Sequence, residues 1–274
     1  MSMLDYEAEY NNRRRVPESP EIMARWQAAS AAYARSAMGE LDQPYGSGER
    51  QRYDLFRAGV RSAPLIVYIH GGYWQRGDRK DYSFLAEGLN RAGIDVAIAS
   101  YSLCPSASVM DIVAELRLCL AAIWHKTKTH PAVIGHSAGG HLTAAMLQTD
   151  WKSFAGLPDA LVSAGMAISG LFELLPLVGT SINDAIGLND ATAREASPLF
   201  WPPPPMDRSL IAAVGELESG EFHRQSREIT VLWARAGLAT EFLSVPDSNH
   251  FTIVDELAKP DGVLFKRVLA LATG

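Results

Sequence analysis

The strongest constraint on this chain is a series of short, almost wholly apolar runs, separated by longer segments whose apolar residues recur every third and fourth position. Leu65-Ile66-Val67-Tyr68-Ile69, Ile94-Asp95-Val96-Ala97-Ile98-Ala99 and Ala132-Val133-Ile134-Gly135 are such runs. A strand apolar on both faces must be covered on both, which is the situation inside a parallel sheet wrapped by helices. Between the second and third runs, Val109, Ile112, Val113, Leu116, Leu120, Ile123 and Trp124 keep the spacing of a long helix with one buried face. Further strands are expected at 164–169, 209–214 and 241–245. Helices are expected at 81–92, ended by Gly93, immediately after Gly135-His136-Ser137, and at 251–272. Strand and helix alternating in this way predict an α/β fold, a mostly parallel central sheet with helices on both faces. Two features do not fit the eight equal units of a barrel. Arg52-Tyr53-Asp54-Leu55-Phe56 alternates like a half-exposed strand after a Gly/Ser turn at 46–48 and reads as part of an edge hairpin, and a long insertion interrupts the later units.

The same pattern sets the domain organisation. The 274 residues read as a single domain with two additions. Residues 1–48 form an N-terminal helical extension, in which Pro20 precedes a helix at 21–36 with Ile22, Trp26, Ala29 and Tyr33 on one face. Residues 171–207 form a cap insertion, too apolar for a free linker, since it holds Phe172, Leu174, Leu175, Leu177, Val178 and Trp201. Its proline run, 202–205, is a rigid approach to the following strand. A net charge of −6 with only 25 basic residues argues against nucleic acid and anionic membrane as partners, which leaves small molecules. Cys104 and Cys119 are too few and too scattered for a disulfide framework or a thiolate zinc site and are expected to act as small hydrophobes. The opening MSMLDYEAEYNNRRRVP carries acids ahead of its arginines and no continuous apolar core, unlike a secretory signal, and no run approaches the roughly 20 apolar residues of a membrane span. A cytoplasmic protein is expected.

Chemistry enters where the third apolar run ends. Gly135-His136-Ser137-Ala138-Gly139 has the form G-x-S-x-G and lies between a buried strand and a helix. On so sharp a turn a serine is forced into a strained backbone conformation that presents its hydroxyl, and the flanking glycines remove the Cβ atoms that would collide. The helix that starts at Ala138 points its positive end at the same place. A serine hydroxyl needs a base to attack a carbonyl. His250, in Ser248-Asn249-His250-Phe251, directly follows the last strand and is the favoured base. His136 and His141 flank the serine too closely, the former pointing away from it, and His125 and His130 lie far from this sheet edge. The acid that orients the base should follow the strand at 209–214, where Glu216, Glu218 and Glu221 are available. Glu218 is favoured from its place on the loop, with Asp247 as a rival by sequence proximity. His70-Gly71-Gly72-Tyr73-Trp74 follows the first apolar run, so the N–H groups of Gly72 and Tyr73, with that of Ala138, are expected to form an oxyanion hole.

His70-Gly71-Gly72-Tyr73-Trp74 together with Gly135-His136-Ser137-Ala138-Gly139-Gly140-His141 resembles the arylformamidase (kynurenine formamidase)-like branch of the α/β-hydrolases, near the hormone-sensitive-lipase-type esterases. Glu221-Phe222-His223-Arg224-Gln225-Ser226, Asn249-His250-Phe251-Thr252-Ile253-Val254 and the Tyr-Asn-Asn-Arg stretch within 6–17 resemble further segments of those enzymes, so the likeness spans nearly the whole chain. In two places the chain departs from the pattern. Glu218 stands where those enzymes typically carry aspartate, and Tyr73 replaces the third glycine of the H-G-G-G esterases, which favours the H-G-G-x-W branch.

The resemblance and the residues together predict a serine hydrolase that uses no cofactor and no metal. It would cleave carboxylic esters of small, aromatic substrates through Ser137, Glu218 and His250, with aryl formamides of the N-formylkynurenine type as the alternative. Tyr73, Trp74, Phe172 and Trp201 are candidates for an aromatic-accepting pocket. A metal-dependent amidohydrolase would need clustered ligands such as H-E-x-x-H, which do not occur, and a non-catalytic binding relative would be expected to lack a triad residue or the glycines. The expected partner is a small-molecule ester or aryl formamide, with a homodimer left open.

Overall fold

The computed structural model describes residues 4–154 and 156–274, so the first three residues of the N-terminal extension lie outside the described residues. Three helices open the chain: α1 (Tyr6–Tyr10), α2 (Asn12–Arg15) and α3 (Ser19–Ala34), the last with a proline in its first turn as its sequence requires. A hairpin of β1 (Gly39–Pro44) and β2 (Arg52–Phe56) follows. The regular alternation then runs β3 (Leu65–Ile69), α4 (Phe84–Arg91), β4 (Asp95–Ala99), α5 (Val109–Thr127), β5 (Pro131–His136), α6 (Ala138–Leu147) and β6 (Ala164–Ile168). After the insertion, which carries the short helices α7 (Asn183–Ile186) and α8 (Asp190–Glu195), come β7 (Ser209–Gly215), α9 (Gly220–Arg235), β8 (Ala239–Val245) and α10 (Val263–Thr273).

The eight strands form one sheet in the order β1-β2-β4-β3-β5-β6-β7-β8. Pairings that involve β2 are antiparallel and all others are parallel. This is the α/β-hydrolase fold, with the expected edge hairpin supplying the two antiparallel pairings. Alternation within β3 shows why its run is continuously apolar. Leu65, Val67 and Ile69 face a core built with α5, α6 and α9, whereas Ile66 and Tyr68 face a second core built with α3, α4 and α10. Each strand side chain so buried contributes roughly 1.5–3 kcal/mol.

Three boundaries differ from the sequence expectation. The expected helix at 251–272 is two pieces: a 3-10 stretch Thr252–Leu257 and then α10, separated at Pro260 and by Gly262, whose extended backbone (φ −61°, ψ 148°) precedes α10. The helix expected at 81–92 begins later, because Arg79–Asp81 form their own 3-10 turn with Asp78 as its cap. Polar β1 was not legible as a strand, since its sequence GELDQP lacks apolar alternation and its pairing with β2 creates it.

The insertion is tied down by buried hydrogen bonds. Ser197 Oγ donates to Ala193 O at 2.6 Å and accepts from Leu174 N–H at 2.8 Å, and the His141 Nε2–H of α6 donates to Ala196 O at 2.7 Å. Both cysteines are buried and free, Cys119 within α5 and Cys104 in the loop after β4.

Two consequences can be measured. A Cβ at Gly139 would lie 2.0 Å from Ile69 O, where backbone faces backbone, so Gly139→Ala is expected to lose about 2–3 kcal/mol in urea unfolding. Full stability in that variant would contradict the packing of α6 on β3. Burial pushes the pKa of His141 down to about 4 from 6.5, partly opposed by its bond to Ala196. Because the folded value is the lower one, the unfolded chain takes up this proton first, so stability is complete above pH 6.5 and is lost as the pH falls from 6.5 to about 4. The loss is on the order of 3 kcal/mol. Unfolding at pH 7.5 and pH 5 should therefore show a smaller acid-induced drop in His141→Gln than in the parent, and equal drops would rule this origin out.

Candidate active site

Ser137 is the single residue between the end of β5 and the start of α6, with φ 57° and ψ −117°. Few side chains tolerate that conformation, which costs on the order of 1–3 kcal/mol and is held by its surroundings. Its N–H donates to Ile168 O at 2.8 Å, and its carbonyl accepts from Gly140 and His141 at 2.8 and 3.2 Å. The neighbouring glycines are needed for space. A Cβ at Gly135 would meet Gly139 O at 2.0 Å, and one at Gly71 would meet Ser137 Cβ at 2.9 Å and His136 O at 2.8 Å.

His250 follows β8 and lies 95% buried, its ring between those of Phe222 and His136, with centroids 4.7 and 4.8 Å away. Its Nδ1 is 2.6 Å from Glu218 Oε2. The other oxygen of Glu218 accepts from Gly215 N–H at 2.7 Å and from Ser169 Oγ at 2.5 Å. Glu218 is therefore the carboxylate brought to His250. The other acids are placed elsewhere: Glu216 is exposed and accepts from Asp247 N–H at 3.3 Å, and Glu221 accepts from Tyr10 Oη at 2.6 Å and pairs with Arg224. No hydrogen bond joins Asp247 to His250 among the described residues.

The loop after β3 is an unusual stretch of backbone. Gly72, Tyr73 and Trp74 all have positive φ, at 112°, 49° and 56°. The turn is held by Tyr73 Oη donating to Tyr10 O at 2.6 Å and by Cys104 N–H donating to Trp74 O at 2.7 Å. Among the described residues, the N–H groups of Gly72, Tyr73 and Ala138 donate to no acceptor.

Ser137, His250, Gly72 and Tyr73 share the wall of one cavity of about 290 Å³. Ser137 Oγ makes no hydrogen bond among the described residues, so serine and histidine share the cavity without being bonded. Much of the remaining wall comes from the N-terminal extension, through Tyr10, Asn12, Arg13 and Trp26, while Ser181 and Ile182 reach it from the insertion. Sequence reasoning did not foresee this wall, although the Tyr-Asn-Asn-Arg segment was the available signal. It also set His136 aside as pointing away. His136 in fact lines the cavity and donates Nε2–H to His250 O at 2.8 Å. Burial, followed by the nearby His250, holds the His136 pKa well below the usual imidazole range, which keeps it a neutral donor.

Of the four aromatic residues proposed for a substrate pocket, only Tyr73 lines the cavity. Trp74 is fully buried, its ring edge-on to His141 at 5.0 Å, and Phe172 is fully buried in the core shared with α9. Trp201 lies on a different cleft with the proline run, its indole N–H donating to Glu195 O at 2.6 Å. These three large rings pack in or against the core and do not line the cavity beside Ser137. No group of three or more His, Cys, Asp or Glu side chains is arranged to hold a metal among the described residues. No helix among them is long and apolar enough to cross a membrane.

Comparison with known proteins agrees with the fold. A profile of the alpha/beta hydrolase fold matches residues 66–247. The kynurenine formamidase of Salmo salar is 29% identical over 240 residues, covering 84% of this chain and 81% of its own. That of Drosophila melanogaster is 29% identical over 230 residues, covering 79% and 76%. A solved structure from Silicibacter sp. TM1040, provisionally named a thioesterase, superposes with a TM-score of 0.88 at 28% identity and covers 99% of this chain and 100% of its own. With the profile spanning most of the sheet and its loops, this chain belongs to the α/β-hydrolase family and is a hydrolase whose relatives include kynurenine formamidases.

Proposed function

We propose that this enzyme is a serine hydrolase that removes the formyl group from aryl formamides, with Ser137 as nucleophile, His250 as base and Glu218 as the orienting acid. The observation that carries the proposal is the 2.6 Å bond between His250 Nδ1 and Glu218, which leaves Nε2 of the same ring as the nitrogen that can accept a proton on the cavity side, where Ser137 lies. Likeness to kynurenine formamidases supports the formyl substrate. An aniline is also a better leaving group than an alkylamine, so an aryl formamide lies within reach of this chemistry.

In the proposed reaction the Ser137 hydroxyl approaches His250 Nε2 once substrate fills the cavity, loses its proton to it and attacks the formyl carbon. The resulting oxyanion is held by the N–H groups of Gly72, Tyr73 and Ala138, which have no other acceptor among the described residues. Each such donor contributes roughly 3–4 kcal/mol to the transition state. His250 passes the proton to the departing arylamine, and water, deprotonated by His250 in turn, releases formate from the seryl ester. In this reading 171–207 is a cap within a single hydrolase domain and closes the cavity jointly with the N-terminal extension, through Ser181 and Ile182 on one side and Tyr10 to Arg13 on the other.

A second reading, hydrolysis of small aromatic esters, is favoured by the similarity to the structure provisionally named a thioesterase. It uses the same groups, since an ester carbonyl needs the same attack and a better leaving group departs.

Two experiments test these assignments. Ser137→Ala is expected to lower kcat/KM at least about a thousandfold for N-formylkynurenine and for p-nitrophenyl acetate alike. Turnover that persists in the variant would remove Ser137 from the mechanism, and a parent value for the formamide far below that for the ester would demote the formamidase reading in favour of the esterase one. For the acid, Glu218→Gln is expected to lose about 10³–10⁴ in kcat, whereas Asp247→Asn stays within about threefold. A larger loss in the second variant would transfer the role to Asp247.

A further inference from the structure

The wall of the cavity beside Ser137 has an electrostatic character opposite to that of the whole protein. The chain carries a net charge of −6, yet among the described residues no aspartate or glutamate lines the cavity, while Arg13 and Arg76 both do. Neither guanidinium takes part in an ion pair among the described residues, and the one polar contact of Arg13 is a long one to Met23 Sδ at 3.8 Å. Several arginines away from the cavity are paired, Arg25 with Asp255, Arg57 with Asp95 and Arg224 with Glu173, Glu221 and Glu228. Glu9, the acid nearest to Arg13 in sequence, accepts from Glu221 N–H, and Glu7 accepts from Asn11 and Ser181.

Arg76 also has a defined place relative to the chemistry. Its N–H donates to Gly72 O at 3.1 Å, closing the turn that carries the free N–H groups of Gly72 and Tyr73. Arg13 faces the same cavity from α2, close enough for its charge, after partial burial, to hold the Arg76 pKa below the ordinary arginine value. Two guanidinium groups on one cavity wall, with no acid among its described lining residues, offer planar donors suited to a carboxylate. An ammonium group would find no carboxylate on this wall.

We propose that Arg13 and Arg76 form a carboxylate-binding subsite, and that the preferred substrate is an aryl formamide or aryl ester bearing a carboxylate on an arm remote from the scissile carbonyl and no ammonium group. The proposal rests on the reading of the Ser137 cavity as the substrate site. A volume of about 290 Å³ accommodates one aromatic ring with a short arm. The subsite acts on binding, so its effect falls mainly on KM.

Three aryl acetates that differ only in the arm test this: 3-(3-acetoxyphenyl)propanoate, the corresponding primary amide and the corresponding propyltrimethylammonium. The expected order of kcat/KM is anion, amide, cation, with the anion at least tenfold above the amide and the difference shrinking in 0.5 M sodium chloride. In Arg13→Gln/Arg76→Gln the anion-to-amide ratio should fall to about one, and in Arg13→Lys/Arg76→Lys much of it should return. A ratio near one in the parent enzyme, or a ratio retained in the Gln variant, overturns the subsite while leaving the Ser137 reading intact. Absence of Ser137-dependent hydrolysis of all three esters and of N-formylkynurenine overturns both.

Discussion

The arrangement around Ser137 depends on a close approach of backbone to backbone. Helix α6 begins one residue after β5 ends, and at Gly139 it lies so near β3 that a single methyl group would overlap Ile69 O. That approach places Ser137 beside Gly71 at the edge of the neighbouring strand, so two loops from adjacent parallel strands meet without intervening side chains. The parallel register supplies the rest. Strands β3, β5, β7 and β8 all end on the same edge, which is why the loops after β3, β5 and β8 line one cavity while the loop after β7 brings Glu218 to His250.

The buried carboxylate shows how the departure from aspartate is accommodated. Glu218 follows β7 by three residues, and its chain folds back so that one oxygen meets the N–H of Gly215 at the strand end and the hydroxyl of Ser169 beyond β6. The other oxygen is then free to reach His250. A buried carboxylate is costly unless its oxygens are matched by donors, and here three donors converge on it. The additional methylene of glutamate is taken up by this backward fold. His250 is in turn fixed from its backbone, since His136 donates to its carbonyl while its ring is wedged against Phe222.

The parts of this arrangement legible in the sequence are those governed by local pattern. Continuous apolar runs identify β3, β4 and β5, three-and-four spacing identifies α5, and G-x-S-x-G identifies the turn at Ser137 because glycine spacing is itself the structural requirement. Glu218 was reachable from its distance beyond β7. What was not legible is decided by long-range contacts. Strand β1 exists through pairing with β2, and Trp74 and Phe172 have the composition of a pocket but the burial of a core, while Trp201 lies on a separate cleft. A large aromatic residue near an active site in sequence satisfies the hydrophobic effect equally well by packing inward, and periodicity does not distinguish the two outcomes.

The role of the N-terminal extension follows from the tyrosine of its Tyr-Asn-Asn-Arg segment. Tyr10 donates its hydroxyl to Glu221 and accepts from Gln225 Nε2, both at 2.6 Å, while its carbonyl accepts from Tyr73 Oη. Gln225 Oε1 accepts from the N–H groups of Phe172 and Glu173 at the start of the insertion. One buried hub thus joins the extension, the insertion, α9 and the loop of positive-φ residues at 72–74. Burial, reinforced by Glu221, pushes the phenol of Tyr10 well above its usual range, so its proton stays in place at any physiological pH. A hydrolase with a wall made from its own N-terminus needs that wall to be held as firmly as the sheet edge it covers. The shared hydrogen bonds of Tyr10 meet this need by making the position of the wall and that of the Tyr73 amide a single structural variable.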